Sequence, residues 1–494
     1  MRALTRRTAL GALAAAPVAC TSLGAAPPAG AGLGPTKRGL DLKADIGILR
    51  RAYTELHPGL YRYATPDLVA GRFDQLERNL DADQSLGQAY LTLSRFLATV
   101  RCGHSYANFF NQSDAVVAAL FQRRSFLPFH FRWLGGQIVV ERNLSEDASL
   151  TPGTVISHID GIAAEQILAT LLPYVRADGS NDDKRRALLE VRGFDRIETF
   201  DVFHSMAFPS TDAAFSLRVR TPGGAERNVS IAAHGPDERK ASMRVHGEKD
   251  GPEWTLEMRG PVGVLTMPNW ALYNSKWDWR GWLTDRLDRL AGDGARGLIV
   301  DVRGNEGGLD CGDPIIARLI DRDLNLDDVE RRVRYRRTPA DLDPYLDTWD
   351  KSFRDWGDGA VVISDGWYKL KAEVDDQPFI AAKGPRFTGK VVVLTDAQNS
   401  SATFQFAQKI KSYGLGQLVG QPTGGNQRGI NGGAYFFLRM PGSSLEVDLP
   451  LIGYFPLTQR PDAGLMPDVR VNLTANDIAT GRDRVMETAL AAIG

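Results

Sequence analysis

Two short runs constrain the fold more than anything else in this chain: Gly297-Leu-Ile-Val-Asp-Val302 and Lys390-Val-Val-Val-Leu-Thr395. Both are apolar almost throughout, with no polar residue at alternate positions. Such runs suit strands buried on both faces, and a strand of that kind needs helices above and below it. The surrounding sequence supplies them. Trp279 to Leu290 is amphipathic at helical spacing, Pro314 to Ile320 begins a second helix, and a third helical pattern follows Thr395. Val262-Gly-Val-Leu-Thr-Met267 is a further strand. Strands alternating with helices predict a mainly parallel sheet covered on both sides.

The rest of the chain has a different character, so the fold class is α/β multidomain. Residues 38–120 predict an N-terminal helical domain, because Leu42, Ile46, Leu49, Tyr53 and Leu56 recur at helical spacing. Residues 121–250 predict a β-rich middle domain, in which Thr151 to Gly161 and the following helical stretch resemble the strand–turn–helix core of a PDZ domain. Residues 251–494 form the α/β domain, with an aromatic-rich insert at 322–386 that carries Tyr345, Trp349, Phe353, Trp356, Trp367 and Tyr368. That insert reads equally well as a surface excursion with its own small core or as a cap whose aromatics meet substrate.

Residues 1–34 predict an export signal and linker. Arg6-Arg7 precede a short Ala-rich apolar run, which suggests the twin-arginine route to the periplasm or outside. Cys20 stands where a lipidation cysteine could stand, but Pro17-Val18-Ala19 is a poor lipobox, so free release ranks ahead of a lipid anchor. Net charge is −1 with both signs well mixed, which gives no nucleic-acid footprint. No run in the body reaches the about 18 apolar residues of a membrane span. The sequence leaves the oligomeric state open.

Two places carry chemistry. In Val391 to Phe404 a buried strand ends, a polar turn follows, and a helix begins at Ser400-Ser401-Ala402. A serine there meets free backbone N–H groups and the positive end of the helix dipole, a good setting for a nucleophile; the plain alternative is an ordinary helix cap. In Leu298 to Gly308 a buried strand enters a turn rich in glycine. Its N–H groups could hold an oxyanion, and its spacing fits neither a Walker loop nor a dinucleotide fingerprint.

Taken in order, Asp301-Val-Arg-Gly-Asn-Glu-Gly-Gly308, Ser401-Ala-Thr403, Val419-Gly-Gln-Pro-Thr-Gly-Gly425 and Gly464-Leu-Met-Pro-Asp-Val-Arg-Val471 resemble the tail-specific, or C-terminal processing, serine peptidases and the tricorn core. The resemblance covers about Pro261 to Leu473. It implies a crotonase-like, ClpP-like catalytic domain, a peptide or protein substrate and no metal or organic cofactor. Ser401 aligns with the nucleophile, with Ser400 as its competitor. Ala402 and the Gly307-Gly308 turn align with the oxyanion donors.

Two departures separate the chain from the processing branch. Phe404 stands at that branch's glutamate, and Asn426 stands at its lysine base. Arg428 cannot substitute as a base, because it stays protonated. The resemblance therefore shifts toward the tricorn-like branch, which uses histidine. His104, in Gly103-His-Ser105, fits that role, and His57 is the runner-up. The third member of a triad falls on Asp462, with Asp468 as the alternative. If His104 reaches Ser401, Cys102 and Cys311 lie near one cleft, and a disulfide between them is expected. The leading expectation is thus an exported serine peptidase. Its alternatives are a non-catalytic protein that binds apolar ligands or peptides, or an esterase using the same serine.

Overall fold

A computed structural model describes residues 32–494 apart from 211, 245–252, 327 and 372–378. The signal-like segment up to residue 31, with Cys20, lies outside the described residues. Among the described residues no helix is long and apolar enough to cross a membrane.

The two apolar runs are the middle of a six-stranded sheet. Its order is Val469–Arg470, Gln417–Gly420, Lys390–Thr395, Gly297–Asp301, Val262–Thr266 and Thr255–Arg259. All neighbours are parallel except the last pair, which forms an antiparallel edge. Alternation along the strands decides which helix each residue meets. Leu298, Val300, Val391 and Val393 face the helices Trp279–Gly292, Asp313–Leu319 and Ser401–Ser412. Ile299, Val392 and Leu394 face the C-terminal helix Arg484–Ile493 through Val485, Met486 and Ala489. Both faces are covered, as a continuously apolar strand requires.

The N-terminal region folds as four helices, Gly39–Leu56, Pro66–Asn79, Leu86–Ala98 and Asp114–Leu120. The periodic residues Leu42, Ile46, Leu49, Tyr53 and Leu56 are all buried on one side of the first. The middle region is an antiparallel sheet ordered Phe129–Leu134, Gln137–Asn143, Val155–Ile159, Ala214–Arg220 and Glu226–Ala232.

The insert takes a form that neither sequence reading foresaw. Its strands Val329–Val333, Leu346–Asp347, Ala360–Ser364 and Trp367–Leu370 join Asn431–Arg439 and Glu446–Pro456 in a second six-stranded sheet. Val333, Leu346, Phe436 and Leu449 from that sheet share one apolar core with the N-terminal helices and the middle sheet. The helical region that carries His104 is thereby fastened to the C-terminal half by apolar burial.

The expected disulfide is not formed. Cys102 and Cys311 are free and buried. They lie in two different apolar cores, Cys102 with the N-terminal helices and Cys311 beneath the parallel sheet. Cys102 Sγ accepts from Asn431 Nδ2 at 3.3 Å instead. Closeness in sequence to two residues of one cleft does not decide which core each thiol enters.

Candidate active site

The Lys390–Thr395 strand ends in a turn, Asp396 to Ser400, that is pinned from below. Fully buried Asn399 donates through Nδ2 to the carbonyl of Asn305, at 3.1 Å, in the glycine-rich turn. Asn305 Oδ1 in turn accepts from Thr403 Oγ1 and from Gly307 N, each at 2.9 Å. Two buried amides therefore tie the turn before Ser401 to the glycine turn.

Ser401 opens the helix Ser401–Ser412 with φ +52°. A positive φ on a non-glycine residue is strained, and such strain clusters at functional sites. An ordinary cap does not need it. The cap position itself belongs to Ser400, which makes no side-chain cap hydrogen bond. Ser400 Oγ donates to the Glu306 carbonyl at 3.1 Å. The competing serine is thus held in a structural contact, and Ser401 is the one with the strained backbone.

The glycine turn lies directly against it. A Cβ on Gly307 would stand 2.8 Å from Ser401 Cβ and 2.9 Å from the Ala402 nitrogen. Gly307 N–H is engaged by Asn305 Oδ1. Gly308 N–H has no partner among the described residues, and the same holds for Ala402 N–H in the unsatisfied first helical turn. These two are the donors available to an oxyanion. Gly308 must be glycine: its φ is +140°, and a Cβ would stand 2.2 Å from the Trp270 carbonyl oxygen.

His104 comes from the loop after Leu86–Ala98. Its ring packs beside Tyr435, with centroids 5.9 Å apart, and a Cβ on Gly432 would stand 3.9 Å from its Nε2. Its Nδ1 is buried with no hydrogen-bond partner. Burial, reinforced by the Arg176 and Lys184 charges and opposed by Glu306, lowers its pKa to about 3. The imidazole is therefore neutral near pH 7. His57 is held structurally, its Nε2 at 2.8 Å from Ser105 Oγ and its Nδ1 accepting from Gly59 N.

Asp462 is not on the His104 ring. Its carboxylate accepts from Arg101 Nη2 at 3.0 Å, Ser180 N and Oγ at 2.9 Å, and Asn426 Nδ2 at 2.8 Å. Asn426, at the position of the processing branch's lysine, is thus a donor to this carboxylate. Asp468 pairs with Lys411 Nζ at 2.6 Å and caps Leu418 N, an ordinary strand-end role. Phe404, at that branch's glutamate, is 2% exposed and packs under Gly425 in the core.

One group escaped sequence reading. Lys184 lies in the charged run Asn181-Asp-Asp-Lys-Arg-Arg186. Its side chain is 2% exposed, and its Nζ reaches Glu306 Oε2 at 3.1 Å. Partial desolvation acts to raise the pKa of Glu306, yet the Lys184 and Arg176 charges overcome it and hold the carboxyl below the usual carboxylate range. No local signal separates Lys184 from Asp182, Asp183, Arg185 and Arg186 beside it.

Residues 261–470 match Peptidase family S41. The chain carries a Peptidase family S41 domain. The S41 domain makes it a serine-type peptidase, a hydrolase acting on peptide or protein substrates. The whole chain is also similar in structure to mature CPAF complexed with lactacystin, with 16% identity and a TM-score of 0.63 over 92% of this chain and 98% of that one. Mature CPAF and a CPAF S499A mutant give TM-scores of 0.61 at 15% and 14% identity, covering 92% of this chain and 98% and 96% of theirs. At such identities the likeness is one of fold. Among curated proteins, none matches the chain.

Proposed function

We propose that the S41 domain hydrolyses peptide bonds through an acyl-enzyme on Ser401. Ser401 Oγ attacks the scissile carbonyl carbon, and neutral His104 takes the hydroxyl proton. The carbonyl oxygen becomes an oxyanion received by Gly308 N–H and Ala402 N–H. His104 returns the proton to the leaving amine, and water then releases the acyl group by the reverse proton path. Asp462 acts through the loops it ties rather than through the imidazole. The observation that carries the reading is the strained φ of +52° at Ser401, set against a glycine turn with no room for a Cβ.

The same reading takes the parallel sheet as crotonase/ClpP-like and the middle sheet as PDZ-like, and places the mature protein beyond the cytoplasmic membrane by way of the Arg6-Arg7 segment. A second reading, binding of apolar ligands or peptides without turnover, is favoured by one feature. Trp349 is 61% exposed, its ring 5.8 Å from that of Tyr435, which in turn adjoins His104. A fluorophosphonate probe separates the two. Labelling that disappears in Ser401→Ala and falls steeply in His104→Ala supports the hydrolase; folded wild-type protein that stays unlabelled supports binding alone. Matched peptide and ester substrates then distinguish a peptidase from an esterase.

A further inference from the structure

The pieces of the candidate site come from distant parts of the chain, and one stretch of the middle region, Arg176 to Lys184, bonds to all of them. It grips the histidine loop on both sides. Gly179 N donates to the Arg101 carbonyl at 2.9 Å, Gly103 N donates to Asp178 Oδ1 at 2.8 Å, and Arg176 Nη1 donates to the Gly103 carbonyl at 2.7 Å. The peptide groups preceding His104 are thereby fixed from both faces. Ser180 N and Oγ hold Asp462. Asn181 Nδ2 donates to the carbonyls of Thr423 and Gly425, each at 2.9 Å.

The link to the nucleophile runs through one carboxylate. Glu306 directly precedes Gly307, and its backbone carbonyl accepts from Ser400 Oγ. Its Oε2 is shared by Lys184 Nζ at 3.1 Å and Arg176 Nη2 at 3.4 Å. Lys184 Nζ also donates to the Gln398 carbonyl at 2.8 Å, in the turn that leads to Ser401. One ammonium therefore joins the glycine turn to the nucleophile turn, and one guanidinium joins the glycine turn to the histidine loop.

Stability alone is a poor reason for this arrangement. Burying an ammonium costs several kcal/mol, and an apolar side chain of the same volume commonly does as well or better. Geometry is a better reason, because misplacing reacting groups by about 1 Å can cost on the order of a hundredfold in rate.

We propose that Arg176 and Lys184 are positioning residues that hold the histidine loop, the glycine turn and the nucleophile turn in register through Glu306. The proposal rests on the Ser401–His104 reading and adds to it a device, supplied by the middle region, that keeps the three parts in catalytic alignment.

The test compares Lys184→Met, Glu306→Gln and the double variant in the full chain. It follows the fluorophosphonate labelling rate, kcat and KM on a peptide, and the melting temperature. Each single variant is expected to lower labelling and kcat between about tenfold and about a hundredfold, with KM little changed. The double variant is expected to do no worse than the more damaging single, because both changes break the same contact. Arg176→Lys, which keeps the charge, is expected to retain more activity than Arg176→Met. Wild-type labelling rates in folded Lys184→Met and Glu306→Gln overturn the proposal, whatever happens to the melting temperature. If Lys184→Met does not fold, Glu306→Gln still decides, since that side chain is 42% exposed. His104→Ala reports separately on the base: unchanged labelling there sinks the histidine assignment and leaves the positioning claim to the Lys184 and Glu306 results. A wild-type chain that never labels overturns both.

Discussion

The two sides of the proposed active site are built on different principles. On the nucleophile side, a buried strand, a turn and a helix follow one another within a few residues, and the neighbouring strand delivers its glycine turn from the adjacent place in the same sheet. Backbone strain at Ser401 and the absence of a Cβ at Gly307 and Gly308 are fixed by local chain geometry. On the other side, His104, the proposed base, has an unpartnered Nδ1, and its loop is held from outside by Arg176, Asp178 and Gly179. One side is preorganised by the fold of its own segment; the other is assembled by contacts between segments far apart in the chain.

That contrast predicts where substitutions are most damaging. Ser401→Ala should lower hydrolysis and probe labelling by at least roughly 10⁴-fold, because no later step exists without the nucleophile. Ser400→Ala should keep most of the activity, as its hydroxyl is occupied by the Glu306 carbonyl. The opposite pattern in purified variants would reverse the assignment. Next in size is Gly308→Ala. A Cβ forced to within 2.2 Å of the Trp270 carbonyl oxygen at φ +140° must displace the turn. Loss of one oxyanion donor alone is worth about 10²–10³-fold in kcat, and the melting temperature should fall as well. Retained labelling in Gly308→Ala would mean that the oxyanion is held elsewhere.

The same contrast explains what could be read from the sequence. The strand–turn–helix joints that carry Ser401, Ala402, Gly307 and Gly308 are legible because each is a matter of a few consecutive residues, whereas the engagement of the Gly307 N–H by Asn305 is not. The parallel sheet was legible because continuous apolar runs admit few alternatives. The insert was not, since strands as short as Leu346–Asp347 carry no periodicity and find their register only against Asn431–Arg439. Lys184 was not, because its burial comes from Glu306 and Gln398, far away in sequence. Asp462 is expected beside the His104 ring and instead bonds to Arg101, Ser180 and Asn426, for the direction of a carboxylate on a loop depends on which other loops surround it.

Asp462→Asn therefore sharpens the comparison. A carboxylate that orients the base costs about 10⁴-fold in kcat when made an amide. A carboxylate that ties Arg101, Ser180 and Asn426 should cost nearer tenfold in kcat together with some melting temperature, and kinetics on the purified variant tell the two apart. The pH dependence belongs to the same side of the cleft. With the pKa of His104 lowered from 6.5 to about 3, the acid limb of kcat/KM should lie well below pH 6. The unfolded histidine binds its proton more readily than the folded one, so the stabilisation is fully present above about pH 6.5 and fades as pH falls toward 3. His57, lowered to about 3 by burial first and by Arg62, acts in the same direction. NMR titration of the two rings should find both still neutral well below pH 6; a ring that titrates near 6.5 would show that it is not buried neutral.

The smallest expected effect is none at all. Cys102 and Cys311 sit in separate cores, so the histidine loop and the catalytic sheet are joined by packing and hydrogen bonds without a covalent link. A disulfide closing so long a loop would contribute roughly 3–5 kcal/mol. Reduction of such a bond would lower the melting temperature of oxidised protein by several degrees. Protein prepared under oxidising conditions should instead melt at the same temperature with and without dithiothreitol, and thiol titration after denaturation should find both cysteines. A drop on reduction would mean that the base side is covalently fastened after all, and the contrast between a preorganised and an assembled half would lose its force.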